Sequence, residues 1–234
     1  MVYFQETRQP FLRVPAVVLL LIGVIVLAHV LRVFVFPEYS DDLFRLYGFV
    51  PARYSAAYLA ATHHNPGTLL ERAIPFVSYV FLHGNWTHLI INMAWLLPFG
   101  AAVARRFGPW LFLLFFFVCG IAGAGTHMVL NWGSEAPTIG ASGAISGLMA
   151  AGIRMMSFPP DAPPRADLLS ILSPVVLGFS AIWIVLNAVL GITGFGAGPD
   201  VVTNIAWQAH LGGFLAGLLL TGLFDQFRPR FLPV

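Results

Sequence analysis

The chain has 234 residues, of which 58% are hydrophobic and 9% charged, with a mean hydropathy of +0.82 and a formal net charge of +2. A water-soluble globular chain carries about 25% charged residues, so that class is excluded, and so small a net charge gives no electrostatic basis for binding nucleic acid. All twelve basic residues are arginines, and the single cysteine, Cys119, lies within an apolar run, so no intrachain disulfide can form and a packed thiol is expected.

Several apolar runs are long enough to cross a bilayer, which predicts an all-α, polytopic membrane protein. Residues 1–13 read as a polar N-terminal segment, and the apolar run after them is too long for the core of a cleavable leader. The first span covers about residues 14–36. His29 and Arg32 lie toward its far end, where the arginine is expected to snorkel to the interface. Residues 37–82 mix Glu38, Asp41, Asp42, Arg45, Arg53, Glu71 and Arg72 with Leu43, Phe44, Leu46, Tyr47, Tyr54 and Tyr58. This segment is apolar enough to pack yet too charged to cross, and predicts one or two short interfacial helices split by Pro51.

The second span starts near Leu82 and His83 and ends before Arg105 and Arg106. His88 and Asn92, four apart, share one helical face. Polar groups inside a span are costly and usually have a purpose; interhelical hydrogen bonding and chemistry both remain open for this pair. His83 and Trp86 sit nearer the outer boundary, where interfacial anchoring is expected. The third span, about residues 107–130, needs no chemistry to explain its aromatics and glycines, and His127 at its exit is expected to be interfacial.

Thr138-Ile139-Gly140-Ala141-Ser142-Gly143-Ala144-Ile145-Ser146-Gly147 then opens a short apolar helix that ends by Arg154. A hydroxyl beside unpaired N–H groups at a helix entrance has the makings of a nucleophile next to an oxyanion hole. Helix capping and close helix packing explain the same residues without chemistry. A proline-rich charged loop follows, residues 159–167, and then a fifth span, about 172–192, largely featureless apart from Trp183 and Asn187. The loop 193–202 is glycine-rich. The sixth span, about 204–224, carries His210, Gly213 and Gly217 on one small-residue face, where another helix can come close.

With six spans, Arg8, Arg13, Arg105, Arg106, Arg154, Arg165, Arg228 and Arg230 fall on one side, and Arg32, Arg45, Arg53, Arg72 and six of the ten acids on the other. The positive-inside rule then places both termini in the cytoplasm. At about 1.5 Å per residue, Ser142 lies about 18 Å above Arg154. On the same rise, Asn92 and His88 lie about 20 and 26 Å above Arg105, and His210 about 22 Å above Asp225. All four share one slab of the outer half of a hydrocarbon core about 30 Å thick. No acidic residue is expected inside a span and no HExxH occurs, so aspartyl and zinc mechanisms are disfavoured; no metal and no cofactor are expected.

Gly140-Ala141-Ser142-Gly143 opening the fourth span, His88-x3-Asn92 in the second and Ala209-His210-x2-Gly213-x3-Gly217 in the sixth resemble the rhomboid family of intramembrane serine proteases. Tyr47-Gly48-Phe49-Val50-Pro51-Ala52-Arg53, Phe81-Leu82-His83-Gly84 and Phe99-Gly100 extend the resemblance, which covers about residues 47–217. It implies a six-helix rhomboid bundle over residues 14–224 with a cytoplasmic tail at 225–234. It also implies a Ser142/His210 dyad and an oxyanion hole of Asn92, His88 and the Ser142 backbone N–H. Gly140, Gly143, Gly213, Gly217 and His83 would support that site. The implied partners are membrane lipid and transmembrane protein substrates with helix-weakening residues near the cut. The fifth span and the loop after it would form a lateral gate and cap, in the plasma membrane of a bacterium. The oligomeric state is left open.

Two departures from the family pattern stand out. Many members carry an aromatic four residues after the nucleophile, where this chain has Ser146, and an acid where it has Ala104. No equivalent of the Trp-Arg pair found in some members' first loop is evident. A proteolytically silent relative that binds transmembrane clients is the alternative; such relatives usually lose the Ser or the His, and both are present here. A transporter would want intramembrane charges or repeated halves, and a purely structural bundle leaves the shared depth of Ser142, His210, His88 and Asn92 unexplained.

Overall fold

The structure, a computed structural model, describes residues 14–62, 67–156, 167–193 and 206–229. Arg8, Arg13, Arg165 and Arg230, nearly all of the loops expected at 159–167 and 193–202, and the expected start of the sixth span at 204 lie outside the described residues. Long Leu-, Val-, Ile- and Phe-rich runs must satisfy their own backbone in hydrocarbon, so they fold as helices. These are α1 (Ala16–Val30), α6 (Trp86–Phe107), α7 (Pro109–Leu130), α9 (Pro174–Thr193) and α10 (Trp207–Gln226). Between α1 and α6 lie α2 (Ser40–Tyr47), α3 (Ala56–Thr62), α4 (Leu69–Ala73) and α5 (Pro75–Ser78). The segment 37–82 thus holds four short α-helices and several 3₁₀ turns rather than one or two helices. Thr68 and Glu71 close a capping box at the start of α4, a local punctuation that breaks the segment further.

Among the described residues, five helices are long and apolar enough to cross a membrane. The remaining candidate, α8 (Ser142–Arg154), has 13 residues and is about 20 Å long at the α-helical rise. It is too short to span alone and is instead enclosed: ten of its residues are buried, against α6, α7 and α10. The bundle is all-α among the described residues, with one isolated backbone bridge between Phe49 and Thr138. Apolar side chains exposed along α1 (Leu19, Leu20, Val24) and α9 (Ile182, Val185, Leu186) give these helices lipid-facing surfaces.

The main core is aromatic. Phe107, Phe112, Phe115, Phe116 and Phe224 pack with Leu96, Val103 and the α8 residues Ala144, Leu148 and Ala151. Below it, Arg106 holds Asp225 by two hydrogen bonds, Nε to Oδ1 at 2.6 Å and Nη2 to Oδ2 at 2.9 Å, and Arg228 adds a third at 3.0 Å. Paired in this way, Asp225 is accommodated inside α10, so the span contains an acid where none was expected. The same fork ties the ends of α6 and α10, with Ala104, two residues before Arg106, buried in the core.

Arg32 corrects a second expectation. It does not snorkel outward: it is 7% exposed and donates to the carbonyls of His83 at 2.9 Å and Gly84 at 3.2 Å and to Ser40 Oγ at 3.1 Å. Its guanidinium also lies 4.7 Å from the Phe44 ring centroid. Three acceptors close at hand make the inward conformation better solvated than a lipid-facing one. A π-helical turn over Leu31–Val35 continues α1 where Arg32 makes these contacts. His127, expected at the interface, is buried on α7 and hydrogen-bonded to Asn131.

The closest helix approach is between α8 and α10. A Cβ at Gly213 would fall on the Gly143 carbonyl oxygen, and one at Gly217 on the Gly147 carbonyl oxygen. Glycine is required there for space. Gly213→Ala is therefore expected to destabilise the chain by about 3 kcal/mol, whereas Gly23→Ala, with open space around its Cβ position, leaves stability unchanged. Thermal unfolding of the two variants in detergent micelles checks this.

Candidate active site

The segment leading into α8 is irregular backbone held by hydrogen bonds to other parts of the chain. Phe49 and Thr138 exchange N–H···O bonds of 2.9 and 2.8 Å, and the Gly140 N–H donates to the Tyr79 carbonyl at 3.0 Å. Tyr79 is itself fixed by its hydroxyl, which donates to the Gly120 carbonyl at 2.7 Å. Gly140 has φ +111°, a conformation that disfavours side chains, and a Cβ there would sit 2.7 Å from His88 Nε2. The chain thus turns sharply against the His88 ring and starts α8 at Ser142. The first intrahelical acceptor is the Ala141 carbonyl, bonded to the Ile145 N–H at 2.9 Å. The N–H groups of Ser142, Gly143 and Ala144 therefore have no acceptor within the helix.

His210, in the first turn of α10, meets this helix entrance. Its Nε2 lies 2.7 Å from Ser142 Oγ, and its Nδ1 lies 2.8 Å from Asn187 Oδ1 of α9. The contacts at Gly143–Gly213 and Gly147–Gly217 run down from this point, so the small-residue faces read from the sequence also bring the hydroxyl and the imidazole together. Gly143 is hemmed by the Tyr79 hydroxyl, 3.1 Å from its Cβ position.

The other residues singled out from the sequence lie around this pair. Asn85 caps α6 by accepting from the His88 N–H at 2.8 Å, placing the His88 ring against Gly140. Asn92, one turn along α6, is buried; its Nδ2 donates to the His88 carbonyl at 2.8 Å, and its Oδ1 has no partner among the described residues. His83 is fully buried rather than interfacial, its ring 5.0 Å from that of His88. Its carbonyl is bonded by Arg32 and lies 3.1 Å from His29 Nδ1, which locks the approach to α6. Ser146 turns its hydroxyl onto the Ser142 carbonyl at 2.7 Å.

Asn187 is marked by the sequence as a feature of an otherwise apolar span but given no role there. Its partner lies on another helix, and no spacing within α9 points to it. Among the described residues, no group of three or more His, Cys, Asp or Glu is placed to hold a metal ion. What the arrangement can do chemically is move a proton between an alcohol and an imidazole beside unpaired amide donors.

Comparison with known proteins gives a match to the rhomboid domain over residues 70–226. Rhomboid-like protein 11, chloroplastic, of Arabidopsis thaliana is 33% identical over 162 residues, covering 65% of this chain and 52% of that protein. Rhomboid-like protein 12, mitochondrial, of the same plant is 28% identical over 173 residues, 66% of this chain and 47% of its own length. YdcA of Bacillus subtilis (strain 168), a candidate rhomboid protease by name, is 28% identical over 170 residues, 72% of this chain and 76% of its own. The chain spans about half the length of the plant relatives it matches.

Burial pushes His83 down to about 3 from its ordinary 6.5, with the adjacent His88 adding to the effect. Between those two pH values the unfolded chain holds a proton at this site that the folded chain does not, so stability falls as pH drops below 6.5. For one proton the limiting slope is on the order of 1 kcal/mol per pH unit. The expected result is that His83→Phe loses less stability than the wild-type chain between pH 6.5 and pH 4. Parallel unfolding curves for the two proteins across this range measure the difference, since the other histidines are common to both.

Proposed function

The chain belongs to the rhomboid family, and we propose that it is an intramembrane serine endopeptidase acting on transmembrane protein substrates. The observation that carries this reading is the 2.7 Å separation of Ser142 Oγ and His210 Nε2 at the unpaired N-terminus of a buried helix. A protein that only held transmembrane clients would have no use for an alcohol, an imidazole and free amide donors at one point.

In this mechanism Ser142 Oγ attacks the scissile carbonyl carbon while its proton passes to His210 Nε2. The oxyanion is held by the Ser142 N–H, by the Asn92 amide and by His88, whose ring lies beside the turn at Gly140. Collapse breaks the C–N bond, and Nε2 gives its proton to the departing amine. Water then attacks the acyl ester, losing a proton to Nε2. The C–Oγ bond breaks and the proton returns to the serine. A neutral imidazole suffices as base, and a charged third member would be costly at this depth.

The remaining assignments follow the same reading. Residues 14–224 form the catalytic bundle, α9 and the loop after it give substrate helices lateral access, and lipid surrounds the outer faces. The end carrying Arg105, Arg106, Arg154 and Arg228 faces the cytoplasm, in the plasma membrane of a bacterium. Substrates are single-span segments that unwind easily near the cut, because a helical carbonyl is otherwise unavailable to the serine.

Purified chain in proteoliposomes is expected to cleave a single-span substrate carrying helix-weakening residues. Ser142→Ala and His210→Ala should abolish cleavage, and Asn92→Ala should lower kcat on the order of 100-fold, the usual cost of one oxyanion donor. Gel-based product analysis reads all three, and cleavage surviving in Ser142→Ala contradicts the assignment.

A further inference from the structure

Resting on the Ser142/His210 reading, we infer that Asn187 of α9 is a positioning residue for the base, holding His210 in the tautomer whose Nε2 is free to accept the serine proton. A primary amide has one accepting and one donating end. The donating end of Asn187 is committed: Nδ2 gives a hydrogen bond of 3.0 Å to the Trp183 carbonyl, which can only accept. That turns Oδ1 toward His210 Nδ1, 2.8 Å away. An amide oxygen cannot donate, so the hydrogen of a neutral imidazole must be on Nδ1. Nε2 is left with a lone pair 2.7 Å from Ser142 Oγ. A main-chain carbonyl of α9 thereby decides which nitrogen of a ring on α10 is the base.

Packing one turn away supports the register that this bond needs. Trp183 stacks on Phe214 with centroids 4.2 Å apart and planes at 12°, and both residues are buried. Trp183 and Asn187 are four apart on α9, and Phe214 and His210 are four apart on α10. The aromatic pair and the Asn187–His210 bond are therefore successive rungs between oppositely directed helices. The residue four after the nucleophile does not do this work: Ser146 spends its hydroxyl on the Ser142 carbonyl and has no ring to lay against the imidazole.

In a serine protease triad, exchanging the carboxylate orienter for an amide that imposes the wrong tautomer costs about 10,000-fold in kcat. Removing Asn187 imposes no tautomer and leaves both accessible to His210, so its loss should cost less, roughly 10- to 100-fold in kcat. The experiment uses the full chain with two substitutions. Asn187→Leu keeps the volume and removes both polar ends; Asn187→Asp keeps an acceptor for Nδ1–H. Expected are a kcat loss of about 10- to 100-fold with KM within about twofold for Asn187→Leu, and partial recovery in Asn187→Asp. Nitrogen-15 NMR of histidine-labelled protein should show His210 protonated at Nδ1 in the wild type and redistributed between tautomers in Asn187→Leu. Unchanged kcat in Asn187→Leu, a change confined to KM, or an Nε2-protonated wild type overturns the inference. If the wild-type chain cleaves nothing, the protease reading fails on its own, and the tautomer measured by NMR still decides the role of Asn187.

Discussion

Backbone-to-backbone contact between α8 and α10 is the constraint on which the site depends. Gly213 lies over the Gly143 carbonyl and Gly217 over the Gly147 carbonyl, with no room for a methyl group at either crossing. In lipid there is no hydrophobic gain from helix association, so shape and close dispersion contact must hold helices together. Two successive glycine crossings fix both the distance and the rotation of the pair, and Ser142 and His210 stand at its upper end. The contact they hold in place is the 2.7 Å approach of Ser142 Oγ to His210 Nε2.

Around that axis the other helices differ in how tightly they are held. α6 is anchored at both ends, by the Asn85 cap and the Arg32 clamp above and by the Arg106–Asp225 fork below. α8 is enclosed on all sides and is too short to need contact with both membrane surfaces. α9 is different: only Val176, Ser180 and Trp183 of its twenty residues are buried. It meets α10 near the site through the Trp183–Phe214 stack, the Asn187–His210 bond and the close approach of Gly191 to the Trp207 ring. In the mechanism proposed here the least embedded of the long apolar helices thus carries the group that orients the base, so a substrate helix must enter without dislodging α9 at that level.

Most of the layout was legible from the sequence because it rests on local patterns. Apolar run length marks the spans, and three- and four-residue spacings put His88 with Asn92, and His210 with Gly213 and Gly217, on common faces. Counting helical rise from Arg105, Arg154 and Asp225 puts Ser142, His210, His88 and Asn92 at one level. What stayed hidden were pairings between distant residues whose register no local pattern encodes. Arg32 and His83, Arg106 and Asp225, and Asn187 and His210 are each set by how helices rotate against one another. The burial of His83 and His127 has the same origin: a position near a helix end says where a residue lies along the axis, not what closes over it.

The most direct test of a nucleophile at the top of the α8–α10 crossing is mass-spectrometric mapping of the adduct formed when the purified full chain is treated with a fluorophosphonate. Ser146, with its hydroxyl one turn from Ser142, and the buried Ser180 provide internal alternatives in the same protein. A single adduct on Ser142 that disappears in His210→Ala is the predicted result. An adduct on Ser146 or Ser180, or labelling of Ser142 that is indifferent to His210, would contradict a serine activated by the imidazole of α10.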